Sequence, residues 1–296
     1  MKRDSLRGQL RTNQCLADYT TWRVGGFAKA MYQPLYISDL SGFLKSLPQS
    51  EPLLWLGLGS NSLIHDQGFS GTVVLTQGGL DGLSLLDPCT IRVEAGVSCA
   101  QMARFCSRNS LVGGEFWAGI PGTMGGALRM NAGCSDQETW THVIEVETMT
   151  RRGLVRQRSA DEFNWTYRNV EGLAEDEWFI SASCRLSPGD KASSLQHMKN
   201  LLAHRAATQP TGEFNCGSVF RNPENDFAAR LIESCGLKGY TIGGAKISEK
   251  HANFIINYLG KSSARDIELL IEHIQNIVFQ HTQVTLVREV HMIGGA

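Results

Sequence analysis

The placement of glycine constrains this chain more than any other feature of it. Much of the content of 31 glycines gathers in three runs, LGLGSNSLIHDQGFSG, LVGGEFWAGIPGTMGGALRMNAG and IGGAKIS. Glycine accepts positive φ and lets backbone approach backbone or ligand closely, so such runs mark tight loops that can cradle a ligand. No internal repeat or low-complexity tract interrupts them, and only 8 prolines are present. A length of 296 residues gives material for about two compact domains.

Between the glycine runs the pattern alternates strands and helices. A strand is expected near 30–33, then a helix from a Ser38 cap to about 47, and a buried apolar strand at 53–58. Further strands are read at 73–76 and 90–95, followed by a helix at 100–107 capped by Ser98, which together make a βαβ-like start. Segments 143–150 and 154–159 flank Arg151-Arg152-Gly153 as a hairpin, and 178–186 is one more strand. Ser187-Pro188-Gly189-Asp190 then breaks the chain, and the main boundary is expected there. Beyond it, Asp190 caps a helix to about 207, a helix at 226–235 ends at Gly236, and Ser263 with Asp266 caps a helix carrying Ile267, Leu270, Ile271, Ile274 and Val278 on one face. A last strand is expected at 284–293.

Composition removes several function classes. The net charge of −1, from 28 basic and 29 acidic residues, provides no cationic field for nucleic acid or anionic lipid. The first residues lack an apolar signal segment, and no stretch approaches the roughly 20 apolar residues that span a bilayer, so no membrane insertion and a cytoplasmic location are expected. The eight cysteines, at 15, 89, 99, 106, 134, 184, 216 and 235, stand singly without a C-x-x-C pair, which indicates neither a zinc module nor a disulfide scaffold. No metal is expected, since His65 and His251 also lack partners at ligand spacing.

The first glycine run follows an apolar strand and offers Gly57, Gly59, Ser60, Asn61 and Ser62. Free backbone amides beside Ser and Asn side chains suit a diphosphate, although a tight structural turn explains the same residues. The third glycine and the acidic residue of a dinucleotide-binding βαβ unit are missing. In the second run, at 119–133, a Pro-Gly turn leads into a segment whose first amides are expected to be unpaired and open to a phosphate. Two such loops suggest a ligand with an extended diphosphate.

Six motifs, taken in order, bring a family into view: TWRVGG at 21–26, LGLGSNSL at 56–63, GIPGTMGGALRMNAG at 119–133, Tyr167-Arg168, GSVFRNP at 217–223 and LKGYTIGGAKISEKHANF at 237–254. The chain resembles the UDP-N-acetylenolpyruvoylglucosamine reductase (MurB) family from about residue 20 to 294. The resemblance implies an α+β chain: a bipartite FAD-binding domain of the vanillyl-alcohol-oxidase (PCMH) type at 1–188, with subdomains at about 1–75 and 76–188, then an α+β substrate-binding domain at 189–296. It implies FAD held by Gly57, Gly59, Ser60, Asn61 and Ser62 in one loop. In the other loop it implies Gly119, Ile120, Pro121, Gly122, Thr123, Gly125, Gly126, Asn131 and Gly133. NADPH is the implied electron donor, and the implied substrate is the enolpyruvyl ether of UDP-N-acetylglucosamine, reduced to UDP-N-acetylmuramate in the cytoplasm of a peptidoglycan-making bacterium. Tyr167, Asn222 and Lys238 are the implied substrate contacts, and a monomer is favoured.

The chemistry agrees with the residues. Hydride addition to an enol ether next to a carboxylate leaves an enolate, which needs a cation and a placed proton donor. Arg168 supplies the cation, Glu289 on the last strand a carboxyl for the developing oxyanion, and Ser218 the proton to carbon. Arg221 and the Lys250-His251-Ala252-Asn253 segment are further candidates for lining the substrate. The chain runs straight from 186–189 into a helix, so it resembles the shorter type of the family, without an extra substrate-covering tyrosine loop. No segment of the kind that attaches flavin covalently is present, so FAD is expected to bind non-covalently. An FAD-dependent oxidase of a small alcohol or sugar, and a binding protein without turnover, remain alternatives.

Overall fold

The apolar residues Ile267, Leu270, Ile271, Ile274 and Val278 recur at helical spacing, and in a computed structural model describing residues 6–295 they form the buried face of the helix Ala264–Thr282. Its start is closed as the sequence indicates: Ser263 Oγ accepts from Asp266 N at 3.0 Å, and Asp266 accepts from Ser263 N at 2.9 Å. Asp66 accepts from the next two amides, Ala264 N at 2.8 Å and Arg265 N at 3.0 Å. Ser98 and Gln101 form the same reciprocal cap on the helix Cys99–Arg108. Asp190 accepts from Ser193 N at 2.7 Å where the helix Lys191–Thr208 begins.

Two helix starts differ from expectation. The helix Ile37–Ser46 begins before Ser38, because the buried carboxylate of Asp39 accepts from Leu35 N and the Tyr32 hydroxyl and so fixes the entry itself. The helix Ala228–Ser234 starts after Asp226, whose carboxylate is taken by Phe227 N and Arg230; Gly236, at φ +71°, follows its end.

The described chain packs as two units. The first comprises residues 6–12, Ala30–Leu58 and Gly71–Ala203. Its five-stranded antiparallel sheet runs in the order Val155–Ser159, Val143–Thr150, Glu177–Arg185, Thr90–Glu94, Leu83–Asp87. The expected hairpin is its edge, with Met149 opposite Val155. Trp117, Trp140, Phe116 and Phe179 fill the core below, together with Met198 from the helix Lys191–Thr208. That buried methionine carries the first unit on to residue 203, past the expected boundary at 188. The strand Leu53–Leu56 pairs in parallel with residues 72–75 and stops two residues short of the expected 58, where the first glycine loop begins.

The second unit comprises Asn13–Lys29, Gly59–Ser70 and residues 204–295. The early segments join it because Trp22, Val24 and Leu63 belong to the core formed by Ile267, Leu270 and Ile274. Trp22 is fully buried; its Nε1 donates to Ile255 O at 2.7 Å, and Asn257 Nδ2 donates to Trp22 O at 2.9 Å. The expected strand at 284–293 is reduced to His291–Ile293, which pairs in parallel with Ser62–Ile64. Residues 287–290 instead bond to the irregular 219–221 segment, with a single bridge at Phe220 and Arg288, and an irregular neighbour supports no regular ladder. Glu289 therefore does not lie on a strand.

Trp22→Phe keeps a large ring but removes the donor to Ile255 O, leaving a buried carbonyl unpaired. A loss of about 1–3 kcal/mol is expected from urea unfolding monitored by circular dichroism.

Candidate active site

In the first unit, the two glycine loops touch. A Cβ built on Gly57 would lie 2.2 Å from Thr123 Oγ1, so only glycine lets the loops approach this closely. Residues 119–126 are then hooked onto the neighbouring chain: Gly122 O accepts from Cys99 N at 2.9 Å, Met124 N donates to Val97 O at 2.8 Å and Gly125 N to Ala95 O at 2.9 Å. The expectation that the first amides of this segment are unpaired is thereby corrected for Met124 and Gly125, because they open the helix Met124–Arg129 and that start is capped by the carbonyls of Val97 and Ala95. Ile120 N closes a turn onto Trp117 O behind the buried Gly119, and Pro121 is exposed. Gly126 differs from the others: a Cβ there would meet nothing within 4 Å. Close loop approach beside an open, glycine-lined face fits a diphosphate-bearing cofactor.

The second half of this loop serves Arg168. Asn131 is fully buried at φ +45°; its Nδ2 donates to Glu138 Oε2 at 2.8 Å and Thr166 O at 3.1 Å, and its Oδ1 accepts from Trp140 N at 3.1 Å. Its side chain is thus spent on protein groups, and it shapes the backbone that receives the guanidinium. Arg168 donates to Asn131 O at 3.4 Å and to Gly133 O at 3.1 Å, and stands 5.0 Å over the exposed ring of Tyr167. Arg168 itself adopts φ +56°, a left-handed conformation uncommon for a side-chain-bearing residue and concentrated at functional loops.

In the second unit, Gly59 sits at φ +65°, where a Cβ would come within 2.1 Å of Tyr19 O. Ser60 and Asn61 follow, both half-buried, and Ser62 opens the strand paired with His291–Ile293. Asn61 Nδ2 donates to Glu289 O at 3.0 Å. The segment 216–223 has no helix or strand, and its backbone is held by Asn253: Val219 N donates to Asn253 O at 2.9 Å, Phe220 N to Asn253 Oδ1 at 3.0 Å, and Asn253 Nδ2 to Phe220 O at 2.8 Å. Val219 O accepts from Glu289 N at 2.8 Å, which brings Glu289 beside the serine segment. Burial first, and then the nearby Glu289 carboxylate, push the Cys216 thiol well above its usual range.

The expected substrate contacts take separate positions. Asn222 is exposed and accepts from Ala228 N at 3.1 Å; half-buried Lys238 pairs with Glu233 at 2.7 Å. Lys250 donates to Ala206 O. Burial, followed by the charge of Lys238, lowers the His251 pKa. Arg221 Nε is buried with no hydrogen-bond partner among the described residues. Asn253, grouped in the sequence with possible substrate contacts, is buried and spent on the loop. Its role escaped sequence reading because nothing in HANF points to a backbone 33 residues away.

Comparisons with known proteins identify the family. A family model for an FAD binding domain matches residues 28–158, and one for the C-terminal domain of UDP-N-acetylenolpyruvoylglucosamine reductase matches 209–293. The fold is thus an FAD-binding domain followed by an α+β reductase domain, the architecture of an FAD-containing oxidoreductase, as expected. The chain is 66% identical over 290 residues to the UDP-N-acetylenolpyruvoylglucosamine reductase of Legionella pneumophila (strain Corby), spanning 98% of this chain and 94% of the relative. It is 49% identical to that of Coxiella burnetii, spanning 98% and 97%. The crystal structure of the reductase (MurB) from Thermus caldophilus superposes with a TM-score of 0.82 at 29% identity, covering 97% of this chain and 99% of the other. The chain belongs to the UDP-N-acetylenolpyruvoylglucosamine reductase family. Among the described residues, no helix is long and apolar enough to cross a membrane.

Gly57→Ala drives a methyl group into Thr123, and overpacking of this kind costs about 1–3 kcal/mol. FAD affinity should fall about ten- to hundredfold, read as flavin per chain from absorbance. Gly57→Ala with Thr123→Ala should recover part of the loss.

Proposed function

We propose that this chain reduces the enolpyruvyl ether of UDP-N-acetylglucosamine to UDP-N-acetylmuramate with NADPH, acting as a monomer in a bacterial cytoplasm. The family relationship supports the substrate class. The observation that carries the reaction is the 2.8 Å bond from Glu289 N to Val219 O, which keeps a carboxyl-bearing residue beside the segment of Ser218. In this reading residues 1–188 form the FAD-binding domain, which also carries Tyr167 and Arg168, and residues 189–296 the substrate-binding domain.

Bound without a covalent link, FAD would supply the hydride chemistry, with NADPH as the source of its electrons. By the family resemblance the FAD diphosphate falls to Gly57, 119–126, Asn131, through its backbone, and Gly133 of the first unit and to Gly59, Ser60, Asn61 and Ser62 of the second. Arg168 has a permanent charge, and its guanidinium, steered by the carbonyls of Asn131 and Gly133, stabilises the enolate that develops on the substrate. Glu289, when protonated, hydrogen-bonds the same oxyanion, and Ser218 delivers the proton to the substrate carbon. Cys216, in the same segment as Ser218, stays a neutral thiol because burial disfavours its anion, so no thiolate opposes the enolate. Tyr167, Asn222 and Lys238 contact the nucleotide sugar, and Arg221 Nε, without a hydrogen-bond partner among the described residues, is a donor of the kind a diphosphate oxygen satisfies.

Ser218→Ala should leave flavin reduction by NADPH within about twofold of wild type while slowing substrate reduction on the order of a hundredfold or more. Anaerobic stopped-flow at 450 nm reads both half-reactions. Equal loss of the two would refute the proton-donor role, and reduced flavin that reoxidises only in air would favour an oxidase.

A further inference from the structure

We infer that Asn61 is a positioning residue for Glu289, an inference that rests on the proposed role of Glu289 at the reacting end of the substrate. Resemblance assigns Asn61 to the flavin cradle, and the geometry gives its Nδ2 a partner in the protein as well. Asn61 Nδ2 donates to the main-chain carbonyl of Glu289 at 3.0 Å, and Asn61 O accepts from His291 N at 3.0 Å. One residue thus grips the chain on both sides of Val290.

This grip matters because no ladder supports Glu289. Strand pairing begins only at His291, opposite Ser62, and the bridge at Arg288 is isolated. The Glu289 peptide is held at both ends: its N–H by Val219 O at 2.8 Å, from the serine segment, and its carbonyl by Asn61. Together these set where the Glu289 side chain leaves the backbone relative to Ser218. Asn61 can act as a fixed donor because the residues before it are themselves immobilised. Gly59, at φ +65°, is packed against Tyr19 and Thr20, and its carbonyl accepts from Thr21 N at 3.3 Å. The glycine loop therefore orients the carboxyl through Asn61, in addition to whatever it offers the cofactor. Neither alanine nor aspartate can replace the donated bond, and aspartate sets an anion against the Glu289 carbonyl.

A double-mutant cycle on the holoenzyme tests this. Wild type, Asn61→Ala, Glu289→Gln and the combined variant are reduced with dithionite, which makes the test independent of NADPH, and mixed anaerobically with UDP-N-acetylglucosamine enolpyruvate. Flavin per chain is measured in parallel. In the flavin-loaded fraction, Asn61→Ala should slow the limiting rate of reoxidation by about tenfold or more, with the half-saturating substrate concentration little changed. In the Glu289→Gln background it should cause no further slowing beyond about twofold, because a residue acting through Glu289 has nothing left to act on. Multiplicative slowing in the combined variant overturns the inference. So does loss of flavin with a wild-type rate in the flavin-loaded fraction. If Glu289→Gln alone reoxidises at the wild-type rate, the proposed role of Glu289 fails instead. Should Asn61→Ala not fold, Asn61→Ser and Asn61→Asp are read in the same cycle.

Discussion

The side chain of Asn253 carries what no strand or helix provides for the serine segment. Buried backbone amides and carbonyls must be paired, and residues 216–223 have no regular partner of their own. An asparagine side chain offers one donor face and one acceptor face, so it can stand in for the peptide of a neighbouring strand. Asn253 does so at Phe220, with bonds of 3.0 and 2.8 Å, while its own carbonyl takes Val219 N. The Val219 carbonyl is thereby held in place to receive Glu289 N, and the two proposed catalytic residues of the second unit share one support.

The device recurs. Asn131 satisfies Glu138, Thr166 and Trp140 beneath the Arg168 loop, Asn257 binds the carbonyl of the buried Trp22, and Asn61 binds that of Glu289. Each supplies a hydrogen bond to backbone that has no regular ladder of its own. Arg168 at φ +56° and Asn131 at φ +45° depart from ordinary backbone in the same loops, and their surroundings over-determine those conformations.

The glycines divide into two kinds that their spelling does not distinguish. Gly57 and Gly59 are demanded by protein, since a Cβ would strike Thr123 Oγ1 at 2.2 Å and Tyr19 O at 2.1 Å. Gly126 faces open space and is free to meet a ligand. The Gly-rich loops here are therefore joints between segments as well as proposed cradles, and substitution at the first kind acts through packing.

The local features of this fold were legible in the order of residues. The capping boxes at Ser98 and Ser263, the apolar face of the helix Ala264–Thr282 and the hairpin about Arg151 depend on neighbours within a few positions, and the motifs from TWRVGG to HANF identified the family. Other features turned on partners far away in sequence. Trp22 packs with residues more than 230 positions on, Asn253 grips a loop 33 positions back, and the amides of Met124 and Gly125 are consumed by Val97 and Ala95. The strand expected at 284–293 survives only at His291–Ile293, because its neighbour over 219–221 is irregular and offers no ladder. Local propensity and motif order fixed which elements form and which chemistry the chain can carry; the satisfaction of buried backbone across long sequence separations, which no window of residues encodes, decided how Ser218, Glu289 and Arg168 are held.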